Sequence, residues 1–149
     1  MKTTLKSKII PTAIMLFVFV GMISMSFVNN TQDDKKTKPW VVPEKSKTAK
    51  NPAKSDAASL SAGKGLFDKH CKSCHGAKGL GDGSKAKEIE TPMPDFSVDL
   101  KDQTDGEIFF KTKEGRDDMP SFKKKLPEDD DIWTLVNYVR SLSGDAKKK

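Results

Sequence analysis

The stretch that decides the reading of this chain is Cys71-Lys72-Ser73-Cys74-His75. On a helical turn, positions i, i+3 and i+4 share one face, so the two thiols and the imidazole converge on one side. C-x-x-C-H at this spacing is the attachment signature of a c-type haem. Cys71 and Cys74 would add through sulfur to two vinyl groups, while His75 reaches the iron as the proximal axial ligand. Other chemistries fit the five residues less well. A thioredoxin-like dithiol belongs in a βαβ setting, and no strand–helix alternation surrounds this one. A structural zinc site needs four ligands, and His70 and His75 adjoin the cysteines too closely to complete a tetrahedron. A disulfide across so short a loop would stabilise little through chain entropy.

The net charge of +6 over 149 residues invites a nucleic-acid reading, but its distribution argues against one. Residues 1–28 contribute +3 and residues 29–57 another +3, whereas Ala58 to Lys149 carries 17 basic and 17 acidic side chains. The part able to form a globule is therefore formally neutral, before two haem propionates are added, and no basic face marks a nucleic-acid-binding domain.

Met1 to Lys8 is basic, and Ile9 to Val28 is a run of 20 residues without a charge. Apolar cores of signal peptides span about 7–15 residues and a bilayer crossing about 20, so length favours a retained anchor. Ser24 and Ser26 offer a cleavage site instead, and Pro11 interrupts the run. Residues 1–28 are read as a signal peptide or N-terminal membrane anchor. No cysteine lies near the segment to carry a lipid. The lysine-rich side stays in the cytosol, which puts the rest of the chain in an extracytoplasmic (periplasmic-side) location, membrane-anchored or soluble after cleavage. Residues 29–57 are polar, with Pro39, Pro43 and Pro52, and read as a flexible linker whose root-mean-square span is roughly 30 Å. Trp40, inside Pro39-Trp40-Val41-Val42-Pro43, is the apolar exception and either hangs free or docks.

Residues 58–149 read as an all-α domain, with three helices placed directly. The first runs from about Ser59 into the cysteine motif, with Gly63 and Gly65 as poor helix formers that suggest close packing. The second opens on the capping-box pattern Thr104-Asp105-Gly106-Glu107 and ends near Gly115. The third follows Pro127 and the acids Glu128 to Asp131, which suit a helix N-terminus, and repeats Ile132, Leu135, Val136, Val139 and Leu142 at helical spacing. Nothing alternates at period two. About 92 residues make a thin core, which a covalently bound apolar plate would complete.

Two methionines follow His75, each before a proline: Met93 and Met119. Met119 is the better candidate for the iron's other face. It sits in a loop between two helices, 44 residues after His75, and Pro120 stiffens its backbone. A methionine with no ligand role is the alternative, and is the favoured reading for Met93. His70, on a side of the helix that cannot reach the same iron as His75, is expected to face solvent.

With these residues in view, the chain resembles a single-haem class I bacterial cytochrome c over about Ala58 to Ser143. Gly63 and Phe67 match the glycine and aromatic of that family's N-terminal helix, and Leu135 and Tyr138 match their partners on its C-terminal helix. Gly79-Leu80-Gly81-Asp82-Gly83 resembles the loop after the haem motif, and Met119-Pro120-Ser121-Phe122 the distal ligand strand. Pro39-Trp40-Val41-Val42-Pro43 with Asn51-Pro52 resembles a preamble found in some exported members. The resemblance implies a small cytochrome c fold, three to five short helices wrapped around one haem c. One departure concerns the proline that many members place soon after the motif to accept a hydrogen bond from the proximal histidine. Here the first prolines after it are Pro92 and Pro94, so the partner that orients His75 is not evident.

The function this implies is one-electron transfer, not catalysis. His75/Met119 ligation favours ferrous iron, raises the potential and leaves no site for oxygen. A carrier outside the cytoplasm would take electrons from a quinol-oxidising complex or dehydrogenase and pass them to an oxidase or reductase. It would be a monomer, tethered to the membrane if residues 1–28 are retained. Lys123, Lys124 and Lys125 could meet an acidic partner, or form a solvated turn beside Glu128 to Asp131. The alternatives are a haem-bearing subunit of a larger oxidoreductase, or a haem enzyme or gas sensor with an open or labile sixth position.

Overall fold

The computed structural model describes residues 38–143, which contain six α-helices, one 3₁₀ turn and, among the described residues, no strand. The helices are α1 (Glu44–Lys47), α2 (Ala57–His70), α3 (Lys72–His75), α4 (Phe96–Asp99), α5 (Asp105–Glu114) and α6 (Asp129–Leu142), with the 3₁₀ turn at Ala86–Glu88. This is the small all-α architecture expected. The single-turn helices α1, α3 and α4 take the number beyond three to five. The apolar run Ile9–Val28 lies outside the described residues, within which no helix is long and apolar enough to cross a membrane.

Each long helix begins where its sequence supplies a cap. Asp56 accepts a hydrogen bond from Ser59 N–H at 2.9 Å and starts α2 at Ala57, two residues before the expected start. Thr104 and Glu107 form a reciprocal capping box on α5, with bonds of 3.2 and 2.8 Å. The first turn of α6 carries Asp129, Asp130 and Asp131, whose charges complement the helix dipole.

The core forms where α2 crosses α6. Phe67 and Ile132 are fully buried, with Leu135 and Val136 beside them. Burial of each such side chain contributes about 1.5–3 kcal/mol. The crossing is close because Gly63 has no side chain: a Cβ there would lie 2.5 Å from the Thr134 carbonyl oxygen and 2.8 Å from Tyr138 Cβ. Phe67 then meets the Tyr138 ring at a centroid distance of 5.4 Å. The crossing partners implied by the family resemblance are thus the ones in contact. Gly65, by contrast, faces open space, so it has no close-packing role. Helix α5 joins α6 by the stacked pair Phe109–Trp133, centroids 4.1 Å apart. Arg140 of α6 reaches Asp105 at 2.7 Å and donates to the carbonyl oxygens of Leu100 and Gln103.

The stretch expected to be a flexible linker differs over its described part. Residues 38–57 run across α5 and α6 and are stitched to both. Val42 is buried, and the Ser46 carbonyl of α1 sits over Gly106 of α5, where a Cβ would approach it to 1.9 Å. Asn51 Nδ2 donates to the Trp133 carbonyl and to Asn137 Oδ1, at 3.1 and 2.9 Å. The buried Asn137 amide in turn donates to Ala53 O, Lys54 O and Ser59 Oγ. Polar composition conceals this docking because amide hydrogen bonds fasten the segment alongside a few small apolar contacts, Val42 buried and Ala49 and Ala53 packed against the core.

Substitution of the two glycines of α2 separates packing from helix propensity. Gly63→Ala is expected to lose about 1–3 kcal/mol through overpacking at the crossing. Gly65→Ala should gain up to about 1 kcal/mol. Denaturant unfolding of the two variants reads the difference. Equal effects would contradict the placement of Gly63 against α6.

Candidate functional site

The end of α2 and the one-turn helix α3 carry the cysteine motif. Cys71 caps α2, its N–H donating to Phe67 O at 2.8 Å, and its carbonyl accepts from Cys74 and His75 N–H at 3.1 and 2.9 Å. The glycine-rich loop then folds back onto α3 and takes up its free carbonyls. Gly81 N–H donates to His75 O (3.0 Å), Gly83 N–H to Cys74 O (3.2 Å) and Lys85 N–H to Ser73 O (2.8 Å). Gly79 has φ 71°, and its chain lies so close to Phe96 that a Cβ would meet the ring at 2.5 Å. Phe96 N–H donates to Gly79 O at 2.8 Å, and the Phe96 ring lies over His75 with centroids 4.8 Å apart. Loop and ring together hold the imidazole in place. Phe96 was not singled out by sequence, because an aromatic 21 residues downstream carries no spacing signal toward His75.

A cavity of about 310 Å³ opens beside this wall. Cys71 and His75 line it together with Met119, and its apolar lining includes Phe67, Phe96, Leu100, Ile108, Leu135 and Val139. Met93 also lines it, but packs against Gly81, on the His75 side. Cys74 is half-buried on α3 and is not among the lining residues, although it lies near enough to Cys71 for two thiolates to repel. His70 is outside the cavity too. It is half-buried edge-on against Phe122, centroids 6.0 Å apart, rather than turned fully to solvent.

Met119 stands on the connection between α5 and α6. Gly115, with φ 69°, ends α5 and passes so close to Met119 O and Ser121 N that only glycine fits. Arg116 and Met119 then pair through both backbone bonds, Arg116 N–H to Met119 O at 2.8 Å and Met119 N–H to Arg116 O at 2.9 Å. Asp118 Oδ2 accepts from Thr91 N–H and Oγ1, at 2.9 and 2.5 Å, which ties the Met119 loop to the segment before Phe96. Those bonds hold the Asp118 carboxyl below its usual range.

The residues present fit an iron porphyrin. Burial pushes the Cys71 thiol up to about 12, which favours an uncharged sulfur such as a thioether and disfavours the thiolate needed for zinc or dithiol chemistry. Burial also lowers the pKa of His75, keeping its imidazole in the neutral, ligating form. His75 lines the cavity, and its Nδ1 is buried without a hydrogen-bond partner among the described residues, which leaves Nε2 as the nitrogen that would bind iron. The sequence departure at the proline is therefore matched by an orphan Nδ1. At one rim, Lys38, Lys111 and Arg116 supply positive charge that suits the two carboxylates of a haem.

Fold and site together define a c-type cytochrome. The chain belongs to the family described as cytochrome c oxidase, cbb3-type, subunit III, whose model matches residues 58–139. Among solved structures it is similar to a chain of the reducing HAO-like protein complex of Kuenenia stuttgartiensis. The two share 32% identity with a TM-score of 0.56, over 61% of this chain and 46% of the other, so this chain spans less than half the length of that relative. No match is found among curated proteins. The family implies haem c as cofactor and an extracytoplasmic setting, and the neighbour is a component of a redox complex.

The loop behind His75 offers a direct check. Gly79→Ala places a side chain in left-handed backbone and against Phe96, and is expected to cost about 1–2 kcal/mol from the backbone alone. Thermal unfolding of the haem-loaded protein should show the loss, together with a shift of the imidazole resonances of His75. An unchanged variant on both readouts would contradict the Phe96–His75 packing.

Proposed function

We propose that this chain is a one-electron carrier with one haem c, attached through Cys71 and Cys74 and ligated by His75 and Met119. The observation that carries the reading is the single cavity bounded by Cys71 and His75 on one element and by Met119 on another. The haem supplies a reversible one-electron ferric/ferrous couple. Cys71 and Cys74 fix the ring beside α3. His75 would hold the iron through its imidazole, whose orientation is set by Phe96 and by the loop from Gly76 to Lys85. Met119 would offer the iron a soft, neutral sulfur, which would raise the potential and leave no place for oxygen. The apolar lining would limit water around a bound haem, so that little need rearrange on electron transfer. Residues 1–28 would deliver the domain across the cytoplasmic membrane, cleaved or retained, and 58–149 would form the haem domain. The described part of 29–57 belongs with that domain by its packing.

Its partners would be redox proteins, a quinol-oxidising complex or dehydrogenase as donor and an oxidase or reductase as acceptor. Of the three lysines after the ligand strand, Lys123 is paired with Glu114 at 2.6 Å and Lys125 lies over the Phe122 ring, leaving Lys124 the most available for an acidic partner. A second reading has specific support: the family description and the Kuenenia neighbour are both components of oxidoreductase complexes, which favours a haem-bearing subunit. Co-purification from the native membrane separates the two, since a free carrier elutes alone.

The mass of the exported protein should exceed that of its polypeptide by one haem, and alkaline pyridine should give the spectrum of two thioether links. Met119→Ala should lower the midpoint potential and convert the iron to a form that binds exogenous ligands. A Met119→Ala protein with the wild-type potential would remove Met119 from the ligand set.

A further inference from the structure

The stretch Lys38–Val42 ends in an arrangement that the electron-carrier reading does not require. Trp40 and Lys38 line the same cavity as Met119. The Trp40 ring centroid is 4.6 Å from the Arg116 guanidinium carbon and 5.8 Å from Lys111 Nζ. Arg116 Nη1 donates to Lys38 O at 3.0 Å. Its Nε lies 3.1 Å from Asp117 Oδ2 without an aligned hydrogen bond, so the strap supplies the guanidinium's well-formed one. Through its backbone Arg116 pairs with Met119 on both sides of a four-residue turn.

We propose that Lys38–Val42 is a strap that positions Met119, with Trp40 and the Lys38 carbonyl fixing Arg116 and Arg116 fixing the sulfur-bearing residue. The inference rests on Met119 being the distal ligand. Trp40 and Arg116 are positioning residues, since both act through the turn. The turn needs holding because Asp117 sits at φ 52°, a left-handed conformation that a non-glycine residue adopts at a cost. The strap can hold it because it is itself anchored. Val42 is buried, α1 lies against Gly106, and Asn51 is bonded to Trp133 O and Asn137. A cation over an aromatic face resists displacement most when water is scarce, as at this half-buried rim. Asp118 and Thr91 hold the other corner of the turn. The sulfur is thus clamped from two sides, one of them supplied by a segment some 80 residues earlier in the chain.

The test uses the full, haem-loaded chain and two readouts other than electron-transfer activity: the ferric sulfur-to-iron absorption band, and the rate at which ferrous protein binds carbon monoxide. Trp40→Ala should weaken the band and bind carbon monoxide about tenfold faster, the effect of losing one desolvated cation–π contact. Trp40→Phe, which keeps an aromatic face, should restore most of both. Arg116→Lys leaves the strap's anchors at Val42, α1 and Asn51 intact and should move both readouts in the direction of Trp40→Ala, even where the latter is too unstable to purify. Wild-type behaviour in Trp40→Ala or Arg116→Lys, with Met119→Ala open to carbon monoxide, overturns the strap and leaves Met119 as ligand. A Met119→Ala protein with unchanged band and rate overturns the ligand assignment, and the strap with it.

Discussion

The structure depends on the close passage of α2 over α6, made possible by the missing side chain of Gly63 against the Thr134 carbonyl. That contact sets Phe67 against Tyr138 and buries it with Leu135 and Val136. It also fixes the placement of α2, whose C-terminal end carries Cys71 to the cavity wall. An apolar cavity at the centre of a small all-α domain is costly unless a cofactor occupies it. The polypeptide is thus built around space that a flat apolar plate would complete, and cofactor and core are one problem of packing.

Around that cavity the two candidate iron ligands are held by different means. His75 belongs to a short helix whose carbonyls are taken up by a glycine-rich loop, with Phe96 against the ring. Met119 belongs to an irregular connection and relies on its pairing with Arg116, on Asp118 reaching Thr91, and on the strap that carries Trp40. If Cys71 and Cys74 carry the haem and Met119 is the second ligand, one side would be fixed covalently and the other held by packing, which suits an iron that keeps both ligands while its charge changes. Nδ1 of His75 is buried and unpartnered, so the hydrogen bond to a carbonyl that would raise the imidazole's basicity is absent among the described residues.

The parts of this architecture that depend on local chemistry were legible in the sequence. C-x-x-C-H announced its geometry, Thr104 and Glu107 their capping box, and the acids before Ile132 the start of α6. Gly63 could be distinguished from Gly65 only by the family resemblance, because spacing alone treats them alike. What stayed hidden was long-range and polar. Asn51 meets Asn137 across 86 residues, and Asp118 meets Thr91 across 27, and neither pairing leaves a periodic trace. For the same reason residues 38–57 read as a tether, since prolines, lysines and amides look alike whether solvated or docked. Trp40 stood out as apolar, but its partner Arg116 looked like any surface charge.

The optical spectrum of the ferrous wild-type protein, with and without carbon monoxide, reports whether both faces of the iron are held. A c-type spectrum that the gas leaves unchanged on mixing and alters at most slowly is the predicted result, as expected if His75 and Met119 both ligate the iron. Rapid formation of a carbon monoxide adduct would contradict the central claim, since the iron would then have an open or labile face and the chain would belong with haem enzymes or gas sensors.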